Sequence, residues 1–354
     1  MKKIKSMNKF TLTNIKSYGL VLIAFAILFP MQSSGLINNS ISGQLVPICT
    51  YIVMAISLTL TVGFLGELSL GHAGFMSVGA FSGVITAICL QGAIPVPWLR
   101  LLVAVIIGGI FAGIAGLIIG IPVLRLRGDY LAIVTLAFGE IIKNIINCVY
   151  VGVYKGGLHL SMKSADALNM ENGKLILNGP QGAVGIMKLS SFTSGVILIL
   201  FALFIVLNLV NSKTGRAVTA IRDNRIAAES VGIGITRYKL TAFITSAVLA
   251  GMAGAMYAMN FSTIAAKKFD FNASILILVF VVLGGMSNIP GTIVATTLLY
   301  MLPELLREYA DYRMLLYAIV LIVVMLLTNS EKAKQMREVL VYKFKNLNQK
   351  RGEN

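Results

Sequence analysis

Long apolar runs separated by short polar segments make up most of the chain. A helix of about 20 mainly apolar residues crosses the hydrocarbon core of a bilayer, which is roughly 30 Å thick. Eight runs meet or approach this length and predict membrane-spanning helices. They lie at about 18–36, 42–64, 69–91, 99–123, 129–152, 193–211, 240–260 and 313–328.

One further apolar stretch, 273–305, is too long for a single span. Because Gly and Pro near its middle interrupt a helix, we expect two short helices, 273–287 and 290–305. The chain is therefore predicted to be an all-α polytopic membrane protein with about ten transmembrane helices. The interrupting residues are Gly284, Gly285, Asn288, Pro290 and Gly291.

The composition agrees with this fold class. Hydrophobic residues make up 57% of the 354 residues and charged residues only 12%, against roughly 25% charged in soluble domains. Too few charged side chains are available to cover a soluble core of this size. The 3 cysteines lie in apolar runs, so we expect packing roles and neither a disulfide framework nor a metal site. The net charge of +16 comes without an aromatic-interleaved basic groove, which disfavours a nucleic-acid partner.

Basic residues predict the orientation, because Lys and Arg collect on the cytoplasmic side of short loops. With ten spans, two thirds of the 30 Lys and Arg residues lie in four segments on that side. Both termini are then cytoplasmic, and one transmembrane domain, 18–328, separates the tails. The four segments are the N-terminal tail 1–17, the turn 125–127, the loop 212–239 and the basic C-terminal tail 329–354.

Two segments leave alternatives open. The basic start, the apolar residues 19–29 and the small residues that follow resemble a cleavable secretion signal, although polytopic proteins often keep the first span as an uncleaved start. We favour the uncleaved span. The longest connection, 153–192, is mixed in composition and lies outside on this topology. It has room for short secondary structure or for contact with an external protein.

Residues 66–80 combine four glycines with small polar side chains in an apolar background. Irregular backbone within a membrane persists only where it is buried in protein or lines a wet cavity. One interpretation is a broken helix beside a solute path, with polar contacts from Glu67, Ser69 and His72. The other is close helix packing through Gly79 and Gly83, with Ser69 bonded to its own helix. His72 by itself is more typical of a hydrogen-bonded interior histidine than of a ligand or proton carrier.

Glu140 and Lys143 lie well inside the fifth apolar run. A charge buried in a membrane costs at least ~2.5 kcal/mol, so such groups pair or face water. The i, i+3 spacing lets the two side chains meet. We favour a structural ion pair; the alternative is that Glu140 receives a cationic group such as a substrate ammonium. The candidate path residues are Glu67, Ser69, Gly71, His72, Gly74 and Glu140.

The fourth run contains glycines at the spacing of two GxxxG pairs. Small residues at this spacing allow helix backbones to approach closely. We therefore expect this helix face to pack against another helix, either in the same subunit or in a second one. The residues are Gly109, Gly113, Gly116 and Gly120.

The loop 212–239 contains a short helix outside the predicted spans. Asp223 is a candidate start cap and Gly232 a candidate end, which leaves two helical turns with an apolar face. A helix this short is unstable alone, so it should dock against something. It either lies on the lipid surface, with Arg222, Arg225 and Arg237 near headgroups, or inserts into a soluble cytoplasmic partner. The expected apolar face consists of Ile226, Ala227 and Val231.

Taken in order, these segments resemble the LivM-type permease subunits of bacterial branched-chain amino acid ABC importers. The resemblance covers nearly all of residues 57–327. Each segment alone is weak evidence, whereas the ordered set is specific. The segments are 66–80 with its Gly-His-Ala-Gly core, 125–142, 178–182, 215–233 and 281–291.

The resemblance implies a pore-forming subunit in the bacterial cell (inner) membrane. It implies pairing with a second permease (LivH-like), two ATP-binding subunits (LivG- and LivF-like) and an external solute-binding protein. ATP is then bound by the partners, and this chain is not an enzyme and holds no cofactor or metal of its own. In agreement, the sequence lacks the Gly-x-x-x-x-Gly-Lys-Ser/Thr loop that cradles nucleotide phosphates.

The loop helix is, on this resemblance, the coupling helix that transmits motion from the ATPases. Its usual pattern is Glu-Ala-Ala-x-x-x-Gly, which this chain matches except at the first position, where Ile226 replaces the glutamate. The basic tail after Leu327 also departs from the family. The expected coupling residues are Arg222, Asp223, Ile226, Ala227, Ala228, Glu229 and Gly232.

Two alternatives to a branched-chain amino acid importer stay open. Related permeases carry other amino acids, urea or short amides, and the sequence does not identify the residues that contact the solute. An ion-coupled secondary transporter would need ionisable groups in mid-membrane, where only Glu140, Lys143, Glu67 and His72 qualify.

Overall fold

The computed structural model describes residues 9–35, 38–126, 128–154, 157–164, 168, 174–307 and 312–329. Residues 1–8 of the predicted N-terminal tail lie outside this set, as do residues 330–354 of the predicted C-terminal tail. The chain forms two compact units, Met1–Thr297 and Leu298–Asn354.

Each of the ten predicted apolar segments contains a helix, and two further helices lie in the loop 212–239. The first helix begins at Lys9, so the second half of the predicted N-terminal tail is helical. The helices are α1 (Lys9–Ser33), α2 (Asn39–Leu58, continued by a π-helix, Thr59–Leu65), α3 (His72–Cys89), α4 (Pro97–Val123), α5 (Asp129–Asn147), α6 (Phe192–Asn211), α7 (Lys213–Asp223), α8 (Arg225–Ser230), α9 (Ile235–Ala258), α10 (Phe271–Gly284), α11 (Ile289–Leu305) and α12 (Arg313–Asn329).

Among the described residues, six helices are long and apolar enough to cross a membrane. By contrast α5 carries three charged residues, and α10, α11 and α12 have only 14, 17 and 17 residues. The predicted count of ten spans therefore stays a prediction. The six are Asn14–Ser33, Asn39–Leu65, His72–Cys89, Pro97–Val123, Phe192–Asn211 and Ile235–Ala258.

A small antiparallel sheet corrects the prediction of an all-α fold. Its order is β2-β1-β3-β4-β5, and four of its strands come from the long connection before α6. The first strand, Tyr-Val-Gly-Val-Tyr, is rich in the β-branched and aromatic residues that suit strands. The fifth strand follows α9 and pairs with β4. The strands are β1 (Tyr150–Tyr154), β2 (Gly157–Ser161), β3 (Lys174–Asn178), β4 (Ala183–Val184) and β5 (Thr263–Ile264).

Helix α2 lies at the centre of the first unit. Every residue from Leu45 to Leu58 is buried, which is typical of a helix enclosed on all sides. Helices α6, α9 and α10 pack around it. Tyr51 contacts Tyr257 of α9 and Phe280 of α10 edge-on, with ring centroids 5.9 and 6.4 Å apart.

Helices α3 and α4 pack against α9 through glycine. The prediction for α4 is confirmed, and its partner is α9 of the same subunit: a Cβ at Gly113 would lie 2.7 Å from Val248 Cγ2, and one at Gly116 would lie 2.6 Å from Ala247 Cβ. Gly79 of α3 meets the backbone of Gly251 directly. Close packing is therefore the structural role of the glycines in these two helices.

Candidate functional site

The predicted helix break lies between the π-helix and α3. The π-helix ends at Leu65, Gly66 takes the left-handed conformation at φ +77°, and α3 begins at His72. The intervening residues 66–71 are not helical. We call these residues the break.

Helix α5 packs closely against the break and the start of α3. The N–H of Leu70 donates a 3.0 Å hydrogen bond to Thr135 Oγ1. A Cβ at Gly71 would collide with the carbonyl group of Thr135, and one at Gly74 would lie 2.9 Å from Gly139 Cα. Both glycines are therefore required by this close approach, whatever else they do.

Glu67 of the break forms an ion pair with Lys239 of α9. Only 5% of the Lys239 side chain and 18% of the Glu67 side chain are exposed. The second carboxylate oxygen, Oε2 of Glu67, is buried without a hydrogen-bond partner in the described part of the chain. Lys239 lies at the end of the predicted cytoplasmic loop, and its pairing with Glu67 was not predicted, since nothing local signals a partner so distant in the chain.

His72 is a buried histidine with an internal partner. Its Nε2 lies 2.7 Å from Ser57 Oγ of α2, and its ring contacts Phe75 edge-on. The backbone carbonyl of Ser57 accepts a 2.6 Å hydrogen bond from Ser246 Oγ of α9. These contacts agree with the interpretation of His72 as an interior histidine.

Ser69 is buried, and its hydroxyl has no hydrogen-bond partner among the described residues. The alternative in which Ser69 bonds to its own helix is therefore not realised, because the residue lies in the non-helical break where the i−4 carbonyl is not positioned for it. An unpaired buried hydroxyl is unfavourable, at about 1–3 kcal/mol.

Glu140 and Lys143 form the predicted ion pair on α5. Their side chains are 33% and 17% exposed, against 18% and 5% for Glu67 and Lys239. Gly139, the neighbour of Glu140, contacts Gly71 of the break. The structure thus brings the Glu140 region of α5 against the break, while the Glu140 carboxylate itself pairs with Lys143.

The start of the short loop helix differs from the prediction. Asp223 is the last residue of α7, and the cap of α8 is Asn224, whose Oδ1 accepts a 3.0 Å hydrogen bond from the N–H of Ala227. The reason is that α7, which was not predicted, extends the helical backbone through Asp223. Its signal was Ser212, whose Oγ accepts from the N–H of Gly215. Gly232 follows α8 in the left-handed conformation, at φ +82°.

Helix α8 has one buried residue and is largely exposed elsewhere. Ala228 is buried against Ile221 of α7 and Ile235 of α9. Ile226 and Val231 are 81% and 74% exposed, and Ala227 and Glu229 are also exposed. The predicted apolar face is therefore present and has no partner among the described residues of the chain.

The predicted packing role fits one of the three cysteines. Cys49 is buried, whereas Cys89 and Cys148 are exposed, and all three are free thiols. Within the described residues, no group of three or more His, Cys, Asp or Glu side chains is arranged to hold a metal ion.

Comparison with known proteins identifies the family. A family model described as the permease component of a branched-chain amino acid transport system matches residues 40–327. The high-affinity branched-chain amino acid transport system permease protein LivM is 31% identical in Salmonella typhimurium and 32% identical in Escherichia coli, each over 88% of this chain and 73% of the relative. LivH of Salmonella typhimurium is 22% identical over 78% of this chain and 89% of the relative. No solved structure matches. The chain therefore belongs to the family of branched-chain amino acid transport system permease components and is a multi-pass membrane protein.

Proposed function

We propose that the chain is the permease subunit of an ATP-driven importer of branched-chain amino acids. It forms the translocation path with a second, related permease. Two separate ATPase subunits bind ATP, and an external solute-binding protein delivers the amino acid. The LivM relatives, whose names state this transport, support the substrate class.

The exposed apolar face of α8 supports the proposal that the energy of ATP hydrolysis reaches this chain through contact with the ATPase subunits. A six-residue helix is too short to be stable alone, and Ala228 fixes only one side of it. Ile226 and Val231 project apolar surface from a loop that the basic residues assign to the cytoplasm. A groove on an ATPase subunit would bury these side chains, so closure of the ATPases would pull on α8.

The solute path runs along α5 in this proposal. A charged pair on a membrane helix is expensive in lipid, so the exposed side of Glu140 and Lys143 faces water or another subunit. Of the residues of α5, only Leu131, Ala132 and Thr135 are buried within this chain. The path therefore lies between α5 and the second permease. The other candidates, Glu67, Ser69, Gly71, His72 and Gly74, form the wall behind α5.

Both termini are cytoplasmic in this topology, and the five-stranded sheet lies outside. The sheet is then the part of this chain nearest the solute-binding protein. Movement of α8 changes the relative stability of the inward-open and outward-open arrangements, and access to the path alternates accordingly.

The test is leucine uptake by proteoliposomes that contain the complete assembly. Uptake should require ATP and the binding protein, and unlabelled isoleucine and valine should compete while urea and amides should not. Ile226→Asp should abolish uptake with the subunit still assembled in the membrane, whereas Ile226→Leu should retain it. Uptake driven by a proton or sodium gradient without ATP would overturn the proposal, and so would full uptake by the Asp variant.

A further inference from the structure

Three separate elements meet at the carbonyl oxygen of Gly63. Gly63 lies in the π-helix that precedes the break. Its oxygen accepts a 3.0 Å hydrogen bond from Arg222 Nη1 and a 2.6 Å hydrogen bond from Ser287 Oγ. Arg222 also donates to Ser287 Oγ at 3.2 Å. We call Gly63, Arg222 and Ser287 the clasp.

The clasp depends on local backbone geometry at two of its members. Carbonyl groups in the last turn of a helix lack an intrahelical partner, which leaves the Gly63 oxygen free to accept both bonds. A side chain at Gly63 would not fit, because a Cβ there would lie 2.6 Å from the backbone nitrogen of Ser287. In the described part of the chain, Ser287 is the one non-glycine residue with positive φ, at +67°.

Ser287 lies in a second helix break, between α10 and α11. Helix α10 ends at Gly284, Gly285 takes φ +92°, and α11 begins at Ile289. Through Gly63, the clasp joins this break to the π-helix that leads into the one at residues 66–71.

The third member of the clasp comes from the helix next to α8. Arg222 is in the last turn of α7, and its Nε and Nη2 also donate to Asp223 Oδ1 at 3.0 and 2.9 Å. Its neighbour Ile221 packs against Ala228 of α8. The side chain of Arg222 also fills the space above Gly66, where a Cβ would lie 2.6 Å from Arg222 Cγ. Arg222 thus connects α8, through Ile221, with both helix breaks.

We propose that Arg222 is the positioning residue that transmits movement of α8 to both helix breaks. The inference rests on the proposed function, in which α8 receives motion from the ATPases. The planar guanidinium matters because one group donates to Gly63, Ser287 and Asp223 at fixed angles. A lysine at this position keeps the charge but cannot make this set of hydrogen bonds.

The experiment measures leucine transported per ATP hydrolysed by the complete assembly in proteoliposomes. Arg222→Lys should transport roughly tenfold fewer leucine molecules per ATP hydrolysed, which is within the usual range of coupling between sites. Ser287→Ala should show a smaller loss in the same ratio. The double variant should be no worse than Arg222→Lys alone, because the two residues act through one contact.

Arg216→Lys is the matched control. Arg216 lies on the same helix, is exposed, and donates to the carbonyl of Asn211 rather than to the clasp. Its ratio of leucine to ATP should equal that of the wild type.

The outcomes distinguish transmission of movement by Arg222 from a contact that only stabilises the fold. If Arg222→Lys only lowers the amount of inserted subunit and leaves the ratio unchanged, the clasp is a structural contact and the inference is wrong. If Arg222→Lys does not assemble, an unchanged ratio in Ser287→Ala overturns the inference by itself. Failure of the wild-type assembly to couple leucine uptake to ATP would overturn the proposed function, and the transmission role with it.

Discussion

Replacing Lys239 by Met removes one half of the ion pair that ties α9 to the break. Both side chains are largely buried, and Glu67 Oε2 already lacks a hydrogen-bond partner among the described residues. The substitution would leave the carboxylate with neither its counter-ion nor a donor. Breaking a buried pair in this way costs about 3–5 kcal/mol, most of it from the uncompensated charge.

The double variant Glu67→Met with Lys239→Met tests the origin of that cost. Replacing both members by apolar side chains removes the unpaired charge, and such exchanges are often neutral or stabilising. We expect the double variant to recover to within about 1 kcal/mol of the wild type. Lys239→Arg keeps the charge, and its free energy of unfolding should lie between those of Lys239→Met and the double variant.

The assay is unfolding of the purified subunit by SDS in mixed micelles, followed by circular dichroism. A free energy of unfolding is obtained for each variant and compared in a double-mutant cycle. If Lys239→Met loses less than about 1 kcal/mol, the pair behaves as a surface salt bridge and its assignment as a buried pair is wrong. A double variant as unstable as the single one would show that lost packing, rather than charge, is responsible.

Two further substitutions test the helix packing and the start of α8. Gly79→Ala puts a methyl group against the backbone of Gly251 and should lower the free energy of unfolding by about 1–3 kcal/mol in the same assay. A Cβ at Gly92 would meet nothing within 4 Å, so Gly92→Ala should leave the free energy of unfolding unchanged. Equal losses in the two variants would contradict the close packing of α3 against α9. Asn224→Ala removes the cap of α8, costs about 1 kcal/mol, and should reduce ATP-dependent leucine uptake. Asp223→Ala leaves that cap in place and should lower the free energy of unfolding by less than Asn224→Ala does; the reverse order would restore Asp223 as the cap.

The apolar runs predicted the helices well because a lipid environment leaves the backbone few choices. A peptide group without a hydrogen bond is costly there, so an apolar run long enough to span becomes a helix with little help from tertiary contacts. The break after Leu65 was predictable for the same reason, since glycines and polar residues interrupt the run. Glu140 and Lys143 could be paired because their contact is local along one helix.

Contacts between distant parts of the chain were not predictable in this way. The two-residue strands β4 and β5 form only because α9 delivers residues 263–264 beside the loop before α6. The cap of α8 was misassigned by one residue because Asp and Asn are equally good caps, and the choice depends on where α7 ends. The partner of Glu67 and the partners of Arg222 are set by helix packing that no local pattern encodes.

The pairing of β4 with β5 limits how far the helices next to the sheet, α5, α6, α9 and α10, can separate. Ile186 and Leu189 add hydrogen bonds from the β4 side to the carbonyls of Ser262 and Met259, at 3.0 and 3.1 Å. This seam fastens the connection between α5 and α6 to the connection between α9 and α10. The ends of these four helices are therefore expected to move together as one rigid body. An opening for the solute on the side of the sheet is then expected at the outer surface of the subunit, and not between these four helices.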